Sequence, residues 1–281
     1  MSGWTNFFIV VGLIVLFGLY LVSQNKWLEV KHVHIKLPNS GKGVKGKKIV
    51  QLSDLHLPRQ GVSMLKLVKK VELEKPDLIV LTGDLVDVRG NLPEEKLRDF
   101  AQSMVSIAPT YAVTGNHDAN GGYLQEWEDI LTTAGVRVLI DEAEWIAFKE
   151  DGFVLMGLSE KEDFDRAPRP ILRGISLTEG MKNQPKVLLA HHPELFEDYL
   201  MDLTRAPDLI LSGHAHGGQI RLPFIGGLFS PGQGKLPKYT DGVYYHPDMP
   251  GNRMIVNRGI GNSTFPFRFN NRPEIVIVTL D

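Results

Sequence analysis

Five short segments of the chain carry oxygen or imidazole donors: Asp54-Leu55-His56, Gly83-Asp84, Gly115-Asn116-His117-Asp118, His191-His192-Pro193 and Gly213-His214-Ala215-His216. Each follows a short apolar run closed by a turn, the pattern of a buried parallel strand. In open α/β sheets the loops beyond the carboxyl ends of such strands meet at one place. Five donor-bearing loops on one sheet edge therefore predict a cluster of carboxylates and imidazoles. Two divalent ions about 3.5–4 Å apart require such a set, mixed in nitrogen and oxygen, with a carboxylate between them. The candidate ligands are Asp54, His56, Asp84, Asn116, His191, His214 and His216. Any single strand-end aspartate would more simply cap a helix or close an Asx turn. Five such segments in order are improbable as coincidence, and the string Gly-His-x-His-Gly-Gly has no evident structural use.

The spacing adds detail. Asp54 and His56, two apart, share a face wherever the strand persists, and His214 and His216 project together in the same way. Gly83 permits a turn that presents Asp84 outward, and Gly217 and Gly218 allow close backbone approach. Asn116 offers a neutral oxygen, whereas His117 beside it can point at a substrate. Asp118 either orients His117 or caps the following turn. Asp87 is either a partner behind the ligands or, more simply, a turn residue. The chain has no cysteine, which excludes disulfides, thiolate metal sites and cysteine nucleophiles. Nitrogen and oxygen ligation without thiolate suits manganese, iron or zinc.

The elements that must position these groups follow from apolar periodicity. Lys48–Leu52, Leu78–Leu81, Thr110–Val113, Lys186–Leu189 and Leu209–Leu211 read as the strands that precede the donors. Apolar residues at helical spacing mark Ser63–Glu74 and Leu124–Ala134. Pro93 opens a helix through Met104, with Glu94 and Glu95 in its first turn. Arg137–Ile140 reads as a short strand, and Trp145–Lys149 with Phe153–Gly157 as a hairpin. Met254–Val256 and Ile275–Thr279 complete the strands. Alternating β and α early, then β-rich sequence late, predict an α/β fold of two packed mixed sheets flanked by helices, an α/β/β/α sandwich. Val30–Lys36 alternates as a half-buried strand. His32 and His34 share a face with Lys36, which suits a solvated edge better than a ligand site. The Gly/Pro-rich stretch from Leu222 to Pro250 directly follows the His214-His216 segment, and a loop of that length is usually functional. The 281 residues carry a net charge of −2, so no global basic field argues for nucleic acid.

The N-terminus differs in kind. Phe7 to Val22 is an unbroken run of apolar residues, glycine and one tyrosine, and with residues 3–6 it reaches about the 20 residues of a spanning helix. Trp4, Tyr20 and Trp27 lie near its ends, where interfacial aromatics belong. A cleaved signal peptide would have a basic residue before the run and an A-x-A site after it, and neither is present. The segment reads as a retained single-pass anchor in the cell membrane, with the bilayer as a partner. Lys26, Lys31 and Lys36 follow it, and the positive-inside rule then puts the C-terminal domain on the cytoplasmic face.

With D-x-H, G-D, G-N-H-D, H-x-P and G-H-x-H in order, the chain from Lys48 onward resembles the calcineurin-like metallophosphoesterases. The form Gly213-His214-Ala215-His216-Gly217-Gly218-Gln219 resembles a bacterial membrane-associated branch. So does the tail, with Asn257-Arg258-Gly259-Ile260-Gly261, Arg268-Phe269-Asn270 and Arg272-Pro273-Glu274. That branch includes enzymes acting on UDP-2,3-diacylglucosamine. The resemblance implies an anchor over 1–25, a strand and linker over 26–47 and a metallophosphoesterase domain over 48–281. It implies that Asp54, His56, Asp84 and His216 hold one ion and Asp84, Asn116, His191 and His214 the other, with Asp84 bridging. His191 rather than His192 takes the first place of H-x-P. The ions, two divalent cations with manganese favoured, would activate a water for in-line attack on phosphorus. His117 would donate a proton to the leaving oxygen or stabilise the charge developing on it.

The leading expectation is a membrane-anchored phosphoesterase cleaving a phosphate ester or pyrophosphate bond, with a lipid-linked substrate such as a UDP-diacyl sugar. The apolar loop from Leu222 to Phe229 either admits acyl chains or packs on the domain. Two other readings compete: a phosphodiesterase or phosphatase for soluble nucleotides or phosphoproteins, and a non-catalytic scaffold. The complete ligand set and His117 speak against the scaffold.

Overall fold

The computed structural model describes residues 3–262 and 265–281. It opens with helix α1 (Gly3–Lys26), followed by strands β1 (Glu29–Ile35) and β2 (Lys48–Leu52). Then come α2 (Met64–Glu74), β3 (Leu78–Thr82), α3 (Glu94–Ile107), β4 (Thr110–Val113), α4 (Asn116–Asn120), α5 (Leu124–Thr133) and β5 (Arg137–Val138). The second half runs through β6 (Glu142–Phe148), β7 (Asp151–Gly157), α6 (Glu179–Lys182), β8 (Lys186–Leu189), α7 (Phe196–Tyr199) and β9 (Leu209–Ser212). It closes with β10 (Gly242–Tyr245), β11 (Arg253–Val256) and β12 (Glu274–Leu280). Two short hairpins lie between β9 and β10.

Two six-stranded mixed sheets form. The first has the order β1-β12-β2-β3-β4-β5, with β2 to β5 parallel and β12 antiparallel to β2. The second has the order β10-β11-β9-β8-β7-β6, parallel except for its two edge strands. The last strand thus returns to the first sheet, and β1, the alternating segment, pairs with it as that sheet's edge. His32 and His34 sit half in solvent there, beside Glu74 and Asp281.

The central strands are largely apolar because both sheet faces are covered. Ile49, Val80, Val113 and Val276 point to the second sheet and meet Leu155, Val187, Leu211 and Ile255. Their neighbours Val50, Ile79, Leu81 and Ile275 point outward onto Leu67 and Val71 of α2, Phe100 of α3 and Trp127 of α5. The outer face of the second sheet is covered by Leu172, Phe196 and Tyr199. Helices, sheet, sheet and helices are therefore the four layers. Full burial of each such side chain stabilises by roughly 1.5–3 kcal/mol.

α1 stands apart. Its apolar window is not buried, and among the described residues it is the one helix long and apolar enough to cross a membrane. Only its carboxyl end docks: Gln24 is buried, and Tyr20 donates a hydrogen bond to Asn270 Oδ1.

Candidate metal centre

The donor-bearing loops leave the carboxyl ends of β2, β3 and β4 in the first sheet and of β8 and β9 in the second. They converge from two sheets, not along one sheet edge as the sequence pattern alone predicts. Parallel strands of both sheets end on the same side of the sandwich, so the loops meet across the gap. Polar groups tie the sheets there: buried Gln51 Nε2 donates to Ser212 O at 3.0 Å and Thr82 Oγ1 at 3.0 Å, and Asn257 Nδ2 donates to Gln51 O at 3.1 Å.

Asp54 and His56 do not share a strand face. β2 ends at Leu52, and both residues are left-handed, with φ of 51° and 50°. Asp84, His214 and His216 are left-handed as well, at 55°, 64° and 46°. Non-glycine residues in this region carry strain, and such strain collects at functional sites. Here it turns five donor side chains inward. Gly83, at φ +92°, makes the turn before Asp84; a Cβ there would lie 2.6 Å from His191 Nδ1 and 2.8 Å from Gly115 N.

Six of the seven candidate ligands fall into two groups whose donor atoms lie within 4.8 Å of one another: Asp54, His56, Asp84 and His216, and Asp84, His191 and His214. Asp84 belongs to both. Its Oδ1 accepts the His117 N–H at 2.8 Å, and its Oδ2 faces His191 Nε2 at 3.3 Å and His56 Nε2 at 3.7 Å. His216 Nε2 lies 3.1 Å from His56 Nε2 and 3.3 Å from Asp54 Oδ1. Asp54 accepts the His214 N–H with both oxygens at 3.1 Å, a bond across the two sheets. Asn116, the seventh, opens α4, and its buried Oδ1 has no hydrogen-bond partner.

Burial sets the protonation states. It pushes His56 down to about 4 and His214 and His216 well below the usual imidazole range, so all three are neutral at pH 7. It raises Asp54 to about 6. For Asp84 and His191 burial works against charge but their mutual attraction wins. Asp84 stays well below the carboxylate range and His191 well above the imidazole range. His191 Nδ1 donates to Thr82 O at 2.8 Å, which fixes the ring and aims Nε2 into the cluster.

The residues fit divalent cations. His56 Nδ1, Asn116 Oδ1, His191 Nε2 and His216 Nδ1 are buried without hydrogen-bond partners. A buried polar group left unpaired costs about 1–3 kcal/mol, and two of these atoms, Asn116 Oδ1 and His191 Nε2, belong to the candidate ligand set. Two neutral imidazole nitrogens at 3.1 Å have the separation of neighbouring ligands on one ion with bonds of about 2.1 Å.

His117 lies at the edge of the cluster, its ring 4.6 Å from that of His56. Its Nδ1 accepts the Val88 N–H at 3.1 Å and lies 3.9 Å from Asp87 Oδ1. Nδ1 is thus unprotonated and, in the neutral ring, Nε2 carries the proton. Asp87 is buried behind His117 and closes a turn, its Oδ1 accepting the Arg89 N–H at 2.8 Å, while its carboxylate also pairs with the Arg89 guanidinium. Asp118 takes the capping role: Oδ1 accepts from Leu85 and Val86 N–H and Oδ2 from Gly115 N–H, pinning α4 to the loop after β3.

His192 has both ring nitrogens committed, Nδ1 to Glu194 at 3.0 Å and Nε2 to Glu160 at 2.9 Å. Burial opposes its charge, but the two carboxylates raise it to about 9. It is an imidazolium without a free lone pair, although its ring lies only 4.2 Å from that of His214. Sequence reading missed Glu160 and Glu194. Glu194 directly follows His-His-Pro. Glu160 follows β7, a sixth parallel strand end that read only as half of a hairpin. It also missed Arg268, fully buried and donating to the carbonyls of Arg258 and Gly261 behind Asp54.

The family model of the calcineurin-like phosphoesterases matches residues 47–218, more than half of the chain. The phosphodiesterase YaeI of Escherichia coli (strain K12) is 33% identical over 238 residues, covering 83% of this chain and 82% of its own length. An uncharacterised metallophosphoesterase of Aquifex aeolicus (strain VF5) is 33% identical over 273 residues, covering 95% and 97%. A transmembrane protein with metallophosphoesterase domain from Danio rerio is 30% identical over 299 residues, covering 97% of this chain and 61% of its own.

Proposed function

The chain belongs to the calcineurin-like phosphoesterase family and is a metal-dependent phosphoester hydrolase; we propose that it works at a binuclear centre, anchored in a membrane, on a lipid-linked phosphodiester or pyrophosphate. Asp54, His56, Asp84 and His216 would hold one ion and Asp84, Asn116, His191 and His214 the other, with manganese the preferred metal. The observation that carries this reading is the position of Asp84, whose carboxylate belongs to both donor groups. Two bound divalent ions would supply Lewis acidity, lowering the pKa of water and neutralising phosphoryl charge.

The chain's own residues supply the rest. Asp84 Oδ1 is held by the His117 N–H, so the carboxylate keeps one orientation. The Val88 N–H fixes the His117 tautomer, and Nε2–H can donate a hydrogen bond to the leaving oxygen and stabilise the charge that develops there.

A diester or pyrophosphate bond is supported by the similarity to a relative named a phosphodiesterase. A lipid substrate is supported by a 580 Å³ cavity beside the centre, lined by Ile220, Leu228, Phe229, Pro231 and Phe265 and starting at Gly218. Phe224, Ile225 and Phe229 are exposed. α1 supplies the anchor, as the similarity to a transmembrane relative also suggests. Lys26, Lys31 and Lys36 favour the cytoplasmic face.

The test is hydrolysis by purified, manganese-loaded protein, with Asp84→Asn as control, of a bis(aryl) phosphate, an aryl phosphate and a UDP-linked diacyl sugar in detergent. Turnover of the UDP-lipid is expected to be far faster than that of either aryl ester. Activity confined to the aryl esters would remove the lipid, and silence on all three with metal bound would remove hydrolysis at this centre.

A further inference from the structure

We infer that the domain seats on the bilayer through a second contact, an apolar rim beside the metal centre, which turns the cavity mouth toward the lipid. The inference rests on the reading of α1 as membrane-spanning and adds a surface to it. Phe224 is fully exposed, and Ile225, Phe265 and Phe267 are also large apolar side chains in solvent. Phe265 lines the cavity with Phe229 and packs on Phe267 at 6.0 Å, and Phe224 and Ile225 lie in the turn of the hairpin that follows Ile220 of the same wall. Large apolar side chains exposed around one cavity mark an interaction surface.

Its occupant follows from what the rim touches. Ile220, at the start of the 221–227 hairpin, bridges to Phe269, and the Phe269 ring packs on Phe17 at 6.3 Å and Tyr20 at 5.6 Å. The rim is therefore continuous with α1. Tyr20 precedes Lys26 by six residues, about 9 Å along the axis. The contact lies on the apolar side of the helix end, so a bilayer that receives α1 also receives the rim. The foot of the helix has matching charge. Lys26, Lys66 and Lys70 line one hollow with Trp27, and none of the three lysines has an acidic partner among the described residues. Basic groups beside an interfacial tryptophan suit anionic headgroups.

The consequence concerns access. The cavity begins at Gly218, two residues after His216, and ends at the rim. A lipid would enter it from the membrane without crossing water.

The chain has no cysteine, so one introduced cysteine carries one label. Full-length Phe224→Cys, Phe267→Cys, Leu13→Cys and Leu203→Cys proteins are bimane-labelled and reconstituted in vesicles of phosphatidylcholine and phosphatidylglycerol brominated on the acyl chains. Leu203 is exposed and precedes the amino end of β9, whereas the site lies beyond that strand's carboxyl end. Labels at 13, 224 and 267 are expected to lose most of their emission, and the label at 203 to keep it. Quenching at 13 with none at 224 and 267 overturns the rim and leaves the anchor standing. Silence at all three overturns both. Quenching at 203 equal to that at 224 also overturns the rim, because contact would then be unspecific.

Discussion

At the residue scale, His117 is the group whose role is most open to direct test, because it is held by bonds other than metal ligation. Its Nδ1 is occupied by the Val88 N–H, so the role proposed for it falls to Nε2–H as a hydrogen-bond donor to the leaving oxygen. His117→Ala is expected to lower kcat by about 10²–10³ on alkyl esters, and much less on nitrophenyl esters, whose leaving group carries its charge without help. Equal losses on both series would instead assign His117 to shaping the centre. Asp54 gives a second prediction. Its folded pKa, raised by burial from 3.8 to about 6, means that its contribution to stability is complete below the unfolded value and is lost as pH rises through about 6. Near neutrality the ionised, buried carboxylate burdens the metal-free fold, and a cation would relieve it. The Tm gain on adding manganese should therefore be larger near pH 7.5 than near pH 5; the reverse order in calorimetry would exclude Asp54 as a ligand. The six carboxylates and imidazoles that the fold gathers into two groups are legible in the sequence as candidates, because such types at short spacing persist whatever the backbone does. The Val88 amide and the Glu160 carboxylate are not legible: one is a main-chain group, and the other reaches His192 only through the fold.

At the element scale, the central strands are readable because both their faces are buried and their ends are marked by Gly or Asp. Lys48–Leu52, Thr110–Val113 and Lys186–Leu189 coincide with their apolar runs. The division of the donor loops between two sheets is not readable, since a parallel strand looks the same in either sheet. Nor is the left-handed backbone at Asp54, His56, Asp84, His214 and His216, because no residue type there asks for it. The surrounding bonds impose it: Asp54 N–H donates to Gly83 O at 3.0 Å and Gly213 N–H to His191 O at 3.1 Å, extending strand pairing past the strand ends. Gly83 is where this arrangement is most exposed to a single change. Gly83→Ala adds a Cβ at φ +92° against His191 Nδ1 and Gly115 N. Strain of this class costs about 1–3 kcal/mol, and the displaced groups position His191 and α4. Urea denaturation should show that loss, and metal analysis should show reduced manganese content. A variant with full metal content would mean that the centre tolerates a shifted His191.

At the scale of the whole molecule, the described structure divides into a domain that buries its own core and a helix whose apolar window it leaves in solvent. Nothing in the three apolar clusters comes from α1. Its docked part begins at Phe17, with the ring contacts of Phe17 and Tyr20 to Phe269, and continues to the buried Gln24. Deleting residues 1–16 therefore removes no core contact and no donor of the metal centre. The truncated protein is expected to keep its Tm and its manganese-dependent turnover of a soluble aryl phosphate. Turnover of a UDP-diacyl sugar in vesicles should fall by about 10²-fold, because tethering an enzyme to its substrate's surface raises effective concentration by that order. If both activities fall together, the helix serves the fold instead of the substrate. If neither falls, the substrate is soluble, and the exposed rim from Phe224 to Phe267 must have another purpose.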